Sequence, residues 1–220
     1  MPDSHDPGMP SPEQALRRLA EGNRRFMASG GGWSGRGWHP ALAEEGQRPF
    51  AVVLGCSDSR APVEILFDQG FGDLFVVRVA GNVVAPSVVG SVEFAASQFG
   101  TRLVVVLGHT RCGAIAATLR ALATGRGPGS ENLRDITGRI APHIQEVVER
   151  APARAHDDPA LARAAMRANV LAAADHLRHG SRILEEQLLA GRLRVVGAEW
   201  ELESGRVRFL EDLPGAPAGD

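Results

Sequence analysis

The chain has 220 residues, 44 % of them hydrophobic and 23 % charged, with a formal net charge of -2. That length suits one α/β domain with its own core, and near-neutral charge with dispersed arginines argues against a nucleic-acid partner. No apolar run approaches the ~20 residues needed to span a bilayer, and two cysteines, Cys56 and Cys112, are too few for a disulfide framework. The start, MPDSHDPGMP, lacks a basic head followed by an apolar stretch, so no signal peptide is read and a cytoplasmic protein is expected.

Residues 1–10 and the tail 213–220 are rich in Pro, Gly and Asp and are expected to be disordered, leaving 11–212 as a single domain. Ser11, Pro12 and Gln14 form a helix-capping pattern. Leu16, Leu19, Asn23, Phe26 and Met27 follow on one face at helical spacing. GGGWSGRGWHP (30–40) reads as a loop whose two tryptophans need something to pack on. FAVVLG (50–55), DLFVVRVAG (73–81) and RLVVVLG (102–108) are short Val-rich runs, the pattern of parallel strands buried on both faces. A helix over 86–99 lies between the last two, and another follows Cys112 and ends near Gly125. Leu133, Ile136, Ile140, Ile144 and Val147 mark an amphipathic helix, 151–159 a linker, and 160–190 an Ala-rich helical stretch. RLRVVGAEWELESGRVRFL closes the chain as two strand-like runs around Glu203, Ser204 and Gly205. Alternating strands and helices predict an α/β fold. Asp68 and Asp73 read as turn residues; His176 and His179 share a helix face near a helix end and are assigned no metal.

Two strands echo one another: VVLGC ends at Cys56 and VVLGH at His109. Ligand sites in open α/β sheets gather at the carboxyl ends of strands, and neighbouring strands run roughly 4.8 Å apart. His109 and Cys112, at i and i+3, fit the first turn of the next helix. Cys56, His109 and Cys112 thus form a Cys₂His set suited to tetrahedral Zn²⁺. Three protein ligands leave one position open, as in catalytic zinc sites. CSDSR places Asp58 and Arg60 beside the first ligand; the carboxylate is suited to accept a hydrogen bond near the ion or to bind the ion itself as a fourth ligand in a closed state. Arg60 is suited to hold that carboxylate ionised.

GCSDSRAPVEILFDQGFGDLFVVRVAGNVV (55–84) and VVLGHTRCGA (105–114) closely resemble the β-class carbonic anhydrases, with weaker similarity over nearly the whole chain. The resemblance implies a parallel core sheet flanked by helices with an added C-terminal edge strand, one zinc per subunit, and homodimers or tetramers built from dimers. N-terminal helices of that family lie across the partner subunit, which would employ Phe26 and Met27. Position by position, it implies Cys56, His109 and Cys112 as zinc ligands, with Asp58 and Arg60 as the family's dyad. Gln47, Phe75, Phe94 and Gly113 are implied on the substrate side, Phe94 standing where plant-type members carry Tyr. Ala61 follows the dyad where relatives often have Val. One subgroup has a bicarbonate pocket built from Trp, Arg and Tyr. Arg78 fits the Arg, but Val53 takes the Trp position and the chain has no Tyr, so such gating is not expected.

The function implied is reversible hydration of carbon dioxide to bicarbonate and a proton, by zinc-bound hydroxide oriented by the Asp58–Arg60 dyad. Two thiolates and an imidazole cancel the ion's charge, so activity is expected to rise into the alkaline range. His39 is a candidate proton shuttle. Two other readings stand beside this one: the same site acting on another small linear molecule such as carbon disulfide, and a structural or redox-sensing zinc domain without turnover.

Overall fold

The structure, a computed structural model, describes residues 8–152 and 158–210. The expectations for residues 1–7 and 213–220 lie outside that range. Met9, within the stretch expected to be disordered, is 5 % exposed and belongs to the core.

Five strands form one sheet in the order β2-β1-β3-β4-β5. They are β1 (Ala51–Gly55), β2 (Leu74–Arg78), β3 (Leu103–His109), β4 (Arg194–Trp200) and β5 (Val207–Phe209). The first four run parallel, and β5 pairs antiparallel with β4 at the edge. Side chains alternate across a strand, and the two cores follow that alternation. Val52, Leu54, Val104, Val106 and Val195 face one core with Val88 and Val92, Ile115, Ile140 and Ile144, and Val170 and Leu177. Those partners come from α4 (Pro86–Gln98), α5 (Gly113–Thr124), α6 (Glu131–Glu149) and α7 (Pro159–His179). Val53, Val105, Leu107, Val196 and Trp200 face the other core with Leu16 and Leu19 of α1 (Pro12–Ala28) and Leu66 of the short α3 (Val63–Leu66).

Several predicted elements change in detail. β1 and β3 are buried throughout, whereas β2 is an edge strand with Phe75, Val76 and Val77 half-buried. The run 73–81 does not stay extended: β2 ends at Arg78 and residues 80–82 turn, with Gly81 at φ 66°. The Ala-rich stretch is two helices, because α7 stops at Gly180 and Ser181 caps α8 (Arg182–Leu189) by accepting from the Leu184 amide. A four-residue helix, α2 (Leu42–Glu45), follows the loop read at 30–40.

The capping box at Ser11 and Gln14 is formed. α1 is anchored to its own chain: Asn23 donates to Leu66 O and Gly205 O and accepts from the Val207 amide. Phe26 lies against Gly205, also within its own chain. Gly22 lets α1 approach the Phe67 backbone closely, since a Cβ there would fall 1.8 Å from the Phe67 carbonyl oxygen. Trp33 packs edge-on to Phe71 and donates to Gln69 O, but Trp38 is 71 % exposed, so only one of the two loop tryptophans finds a large partner among the described residues. No helix among the described residues is long and apolar enough to cross a membrane.

Candidate metal centre

β1 and β3 are adjacent and parallel, with Gly55 opposite Leu107. Their carboxyl ends therefore deliver Cys56 and His109 side by side. The turn after β3, with Arg111 at φ 57°, brings Cys112 to the N-cap of α5. All three residues are buried, and their donor atoms lie within 4.8 Å of one another. Cys56 Sγ and Cys112 Sγ are 4.0 Å apart, and both cysteines are free. Two sulfurs on a tetrahedral zinc, each about 2.3 Å from the ion, stand about 3.8 Å apart, so the observed spacing fits that ion.

The histidine supplies a second fit. His109 Nδ1 is 2.9 Å from the Thr110 carbonyl oxygen, which only accepts, so Nδ1 carries the proton. Nε2 is then a lone-pair donor, and it is buried without a hydrogen-bond partner among the described residues. A buried polar atom left unpaired is costly, and a metal ion would satisfy it. Thr110 is itself fixed: its amide donates to Trp200 O, and its hydroxyl accepts from the Leu202 amide.

The thiols share charge unevenly. The hydrogen bond from Cys112, helped by His109 and the Gly81 amide, brings Cys56 down to about 4 against the opposing effect of burial. Cys112 is pushed up by that same hydrogen bond and then by burial. Burial opposes charge on His109, but Cys56, the Thr110 carbonyl and Asp58 together outweigh it and raise the imidazole. Such a donor set suits a divalent cation.

Asp58 and Arg60 are placed beside it. Arg60 Nε donates to Asp58 Oδ1 at 2.9 Å and Nη2 to Oδ2 at 2.7 Å, while the Arg60 amide adds a third bond to Oδ1 at 3.0 Å. The Arg60 side chain holds the Asp58 carboxyl well below the usual carboxylate range. Asp58 Oδ2 lies 3.9 Å from His109 Nε2. Arg78 ties Cys56 to Asp58, donating to Cys56 O at 3.0 Å and to Asp58 O at 2.7 Å. Val53, at the position of the subgroup's Trp, is fully buried in the α1 core.

The other site candidates divide. Gly113 is the first residue of α5, next to Cys112. Gln47, Phe75 and Phe94 are not brought to the centre of their own chain. Phe75 pairs with Val52, three positions before the end of β1, roughly 10 Å from the strand's carboxyl end. Phe94 and Phe99 cluster around Phe75. Gln47 is exposed near Gly72, ahead of β2. These three residues mark the amino end of the sheet, and Cys56, His109 and Cys112 its carboxyl end.

Sequence reasoning missed the backbone around Cys56. The Gly81 amide donates to Cys56 Sγ at 3.4 Å, and Asn169 of α7 donates to Gly81 O at 2.9 Å. An Ala-Gly-Asn turn after a strand was the one available signal; nothing in the α7 pattern sets Asn169 apart.

A carbonic anhydrase family model matches residues 51–207. Carbonic anhydrase 2 of Mycobacterium tuberculosis is 36 % identical over 218 residues, covering 92 % of this chain and 95 % of that one. A carbonic anhydrase of Mycolicibacterium smegmatis is 40 % identical over 210 residues, with the same coverage. The chain belongs to the β-carbonic anhydrase family. Among solved structures, a tetrameric β-carbonic anhydrase from Sordaria macrospora superposes with a TM-score of 0.65 at 25 % identity, over 78 % of this chain and 84 % of that one. The general reaction of this family, carbon dioxide hydration, is thereby the reaction class of the chain.

Proposed function

We propose that this carbonic anhydrase is zinc-dependent, converting carbon dioxide and water to bicarbonate and a proton, with Cys56, His109 and Cys112 holding one zinc per subunit. The observation that carries this reading is the convergence of three buried soft or borderline donors, one of them a His109 nitrogen without a partner, beside a restrained carboxylate. Zinc held there supplies Lewis acidity that lowers the pKa of water toward neutrality. Asp58, kept ionised by Arg60, only accepts hydrogen bonds. It takes one from the O–H of the attacking water oxygen and so turns a lone pair of that oxygen toward the carbon. Arg78, through the Cys56 and Asp58 carbonyls, keeps ligand and carboxylate in one frame. The redox-sensing and structural readings offer no use for the Asp58–Arg60 pair.

Gly113 lies beside the reacting centre. A substrate role for Gln47, Phe75 and Phe94 requires a second copy of the chain, and a homodimer or tetramer is proposed with it. The tetrameric relative supports that assembly. Two free cysteines support a reducing, cytoplasmic setting. The test is stopped-flow hydration by zinc-loaded protein from about pH 6.5 to about pH 9. Turnover that rises with pH and vanishes in Cys112→Ala supports the reading. Absence of turnover with zinc bound would reject it in favour of another substrate, with carbon disulfide as the first alternative to assay.

A further inference from the structure

Gly81 sits between two hydrogen bonds that reach in opposite directions. Its amide donates to Cys56 Sγ, and its carbonyl accepts from Asn169 Nδ2. These groups belong to the two peptide units flanking one Cα, so rotation at that Cα moves both. We propose that Asn169 is a positioning residue for the metal centre, holding the Gly81 carbonyl so that the Gly81 amide stays aimed at the Cys56 sulfur. This rests on the reading of Cys56, His109 and Cys112 as a zinc site.

Three observations support it. First, the turn is not one that the backbone holds cheaply: Gly81 has φ 66° and the next residue, Asn82, has φ 45°. Two successive left-handed residues, one of them carrying a Cβ, need outside support. Crowding supplies part of it, since a Cβ on Gly81 would lie 2.8 Å from Ile140 Cδ1 and 3.0 Å from Ala114 Cβ. Second, Asn169 is 2 % exposed in an Ala-rich helix, where an amide is costly unless bonded. Third, α7 is itself anchored: Arg163 and Arg167 form ion pairs with Glu199 of β4, next to the strand that ends in His109. Asn169 therefore projects from a helix fixed to the same sheet that carries the ligands. Donors to a ligating sulfur tune its basicity, and losing such an outer partner typically lowers metal affinity about 10- to 100-fold.

The experiment compares full-length wild type with Asn169→Ala, the similarly sized Asn169→Leu, and Leu177→Ala. Leu177 is a fully buried residue about two turns further along α7. Zinc affinity is measured by competition with a chromophoric chelator, and the thiolate-to-metal charge-transfer band is recorded on cobalt-loaded protein. Both Asn169 variants are expected to bind zinc about 10- to 100-fold more weakly and to shift the cobalt band. Leu177→Ala is expected to lose thermal stability while keeping both wild-type values. Wild-type affinity and spectrum in either folded Asn169 variant would overturn the inference, as would an equal loss in Leu177→Ala. A wild-type chain that takes up no zinc would overturn the metal reading itself, and this inference with it.

Discussion

Arg60 grips both oxygens of Asp58 at once, with Nε on Oδ1 and Nη2 on Oδ2, although the two residues are only two positions apart. The Arg60 amide closes the same loop from the backbone side. A carboxylate restrained in this way cannot swing freely toward the His109 nitrogen 3.9 Å away. Replacing Arg60 with Ala removes the side-chain pair and is expected to lower carbon dioxide hydration by about 10- to 100-fold, the loss typical of hydrogen bonds to a charged group. Arg60→Lys should restore little, because an ammonium cannot span both oxygens. Stopped-flow rates at a fixed pH check both, and wild-type rates in Arg60→Ala would remove the dyad from the mechanism.

Metal content offers a direct check on the donor set. Cys112→Ala leaves only Cys56 and His109, so zinc measured by atomic absorption should fall from about one per chain to a small fraction. Chelating zinc from the wild type should also lower the melting temperature, because an ion that binds only the folded chain stabilises it. An unchanged melting temperature after complete zinc removal would argue against a site at these residues.

Asp68 gives a pH dependence remote from the metal centre. Its carboxylate is 5 % exposed and accepts from the Ser34 amide, the Ser34 hydroxyl and Arg25 Nε. Burial pushes its pKa up, but those donors win and hold it below 3.8. A group depressed in the folded state stabilises fully above its unfolded pKa, about 3.9, and the contribution disappears as pH falls through the folded value. Asp68 has φ 47°, a conformation that asparagine also adopts, so Asp68→Asn preserves the turn. The variant should be less stable than wild type by about 2 kcal/mol at pH 7. Denaturant titrations should show that gap narrowing as pH falls below about 4; a gap that does not narrow on acidification would mean that charge is not its source.

Glu199 allows a test of asymmetry. Its side chain is fully buried, whereas those of Arg163 and Arg167 are 32 % and 41 % exposed. Removing both arginines strands a buried carboxylate, and Arg163→Ala/Arg167→Ala should cost about 3–5 kcal/mol. Glu199→Gln leaves the arginines free to turn toward water and should cost less. Urea unfolding of the two variants decides it, and the reverse order would contradict this account.

The grouping of Cys56, His109 and Cys112 was legible in the sequence because strand ends and metal-binding residue types leave marks there: Cys56 and His109 each close a Val-rich run, and Cys112 lies a helical step beyond. The parallel sheet was legible for the same reason, down to the edge pairing of Val207–Phe209. Edge position was not, because the apolar run at Phe75–Val77 looks the same whether one neighbour covers it or two. The break at Gly180 was hidden by flanking helical patterns of similar composition. Hydrogen bonds from peptide groups have no residue type, so the Gly81 amide on Cys56 could not be read. The burial of Glu199 was equally invisible, since its partners lie more than thirty positions upstream on α7.

The sulfurs of Cys56 and Cys112 belong to residues 56 positions apart. An ion that joins them turns the segment from the end of β1 to the start of α5 into a ring, with β2, α4 and β3 inside it and β4, α6, α7 and α8 outside. The entropy of closing such a ring grows only slowly with its length, so the long segment adds little to the difficulty of assembling the site. While the ring stays closed, an unfolded chain has fewer conformations open to it, and the half-covered edge at β2 is tethered at both ends. Opening the ring would return that freedom to β2, α4 and β3, whereas the clasp of α7 on β4 through Glu199 lies outside the ring.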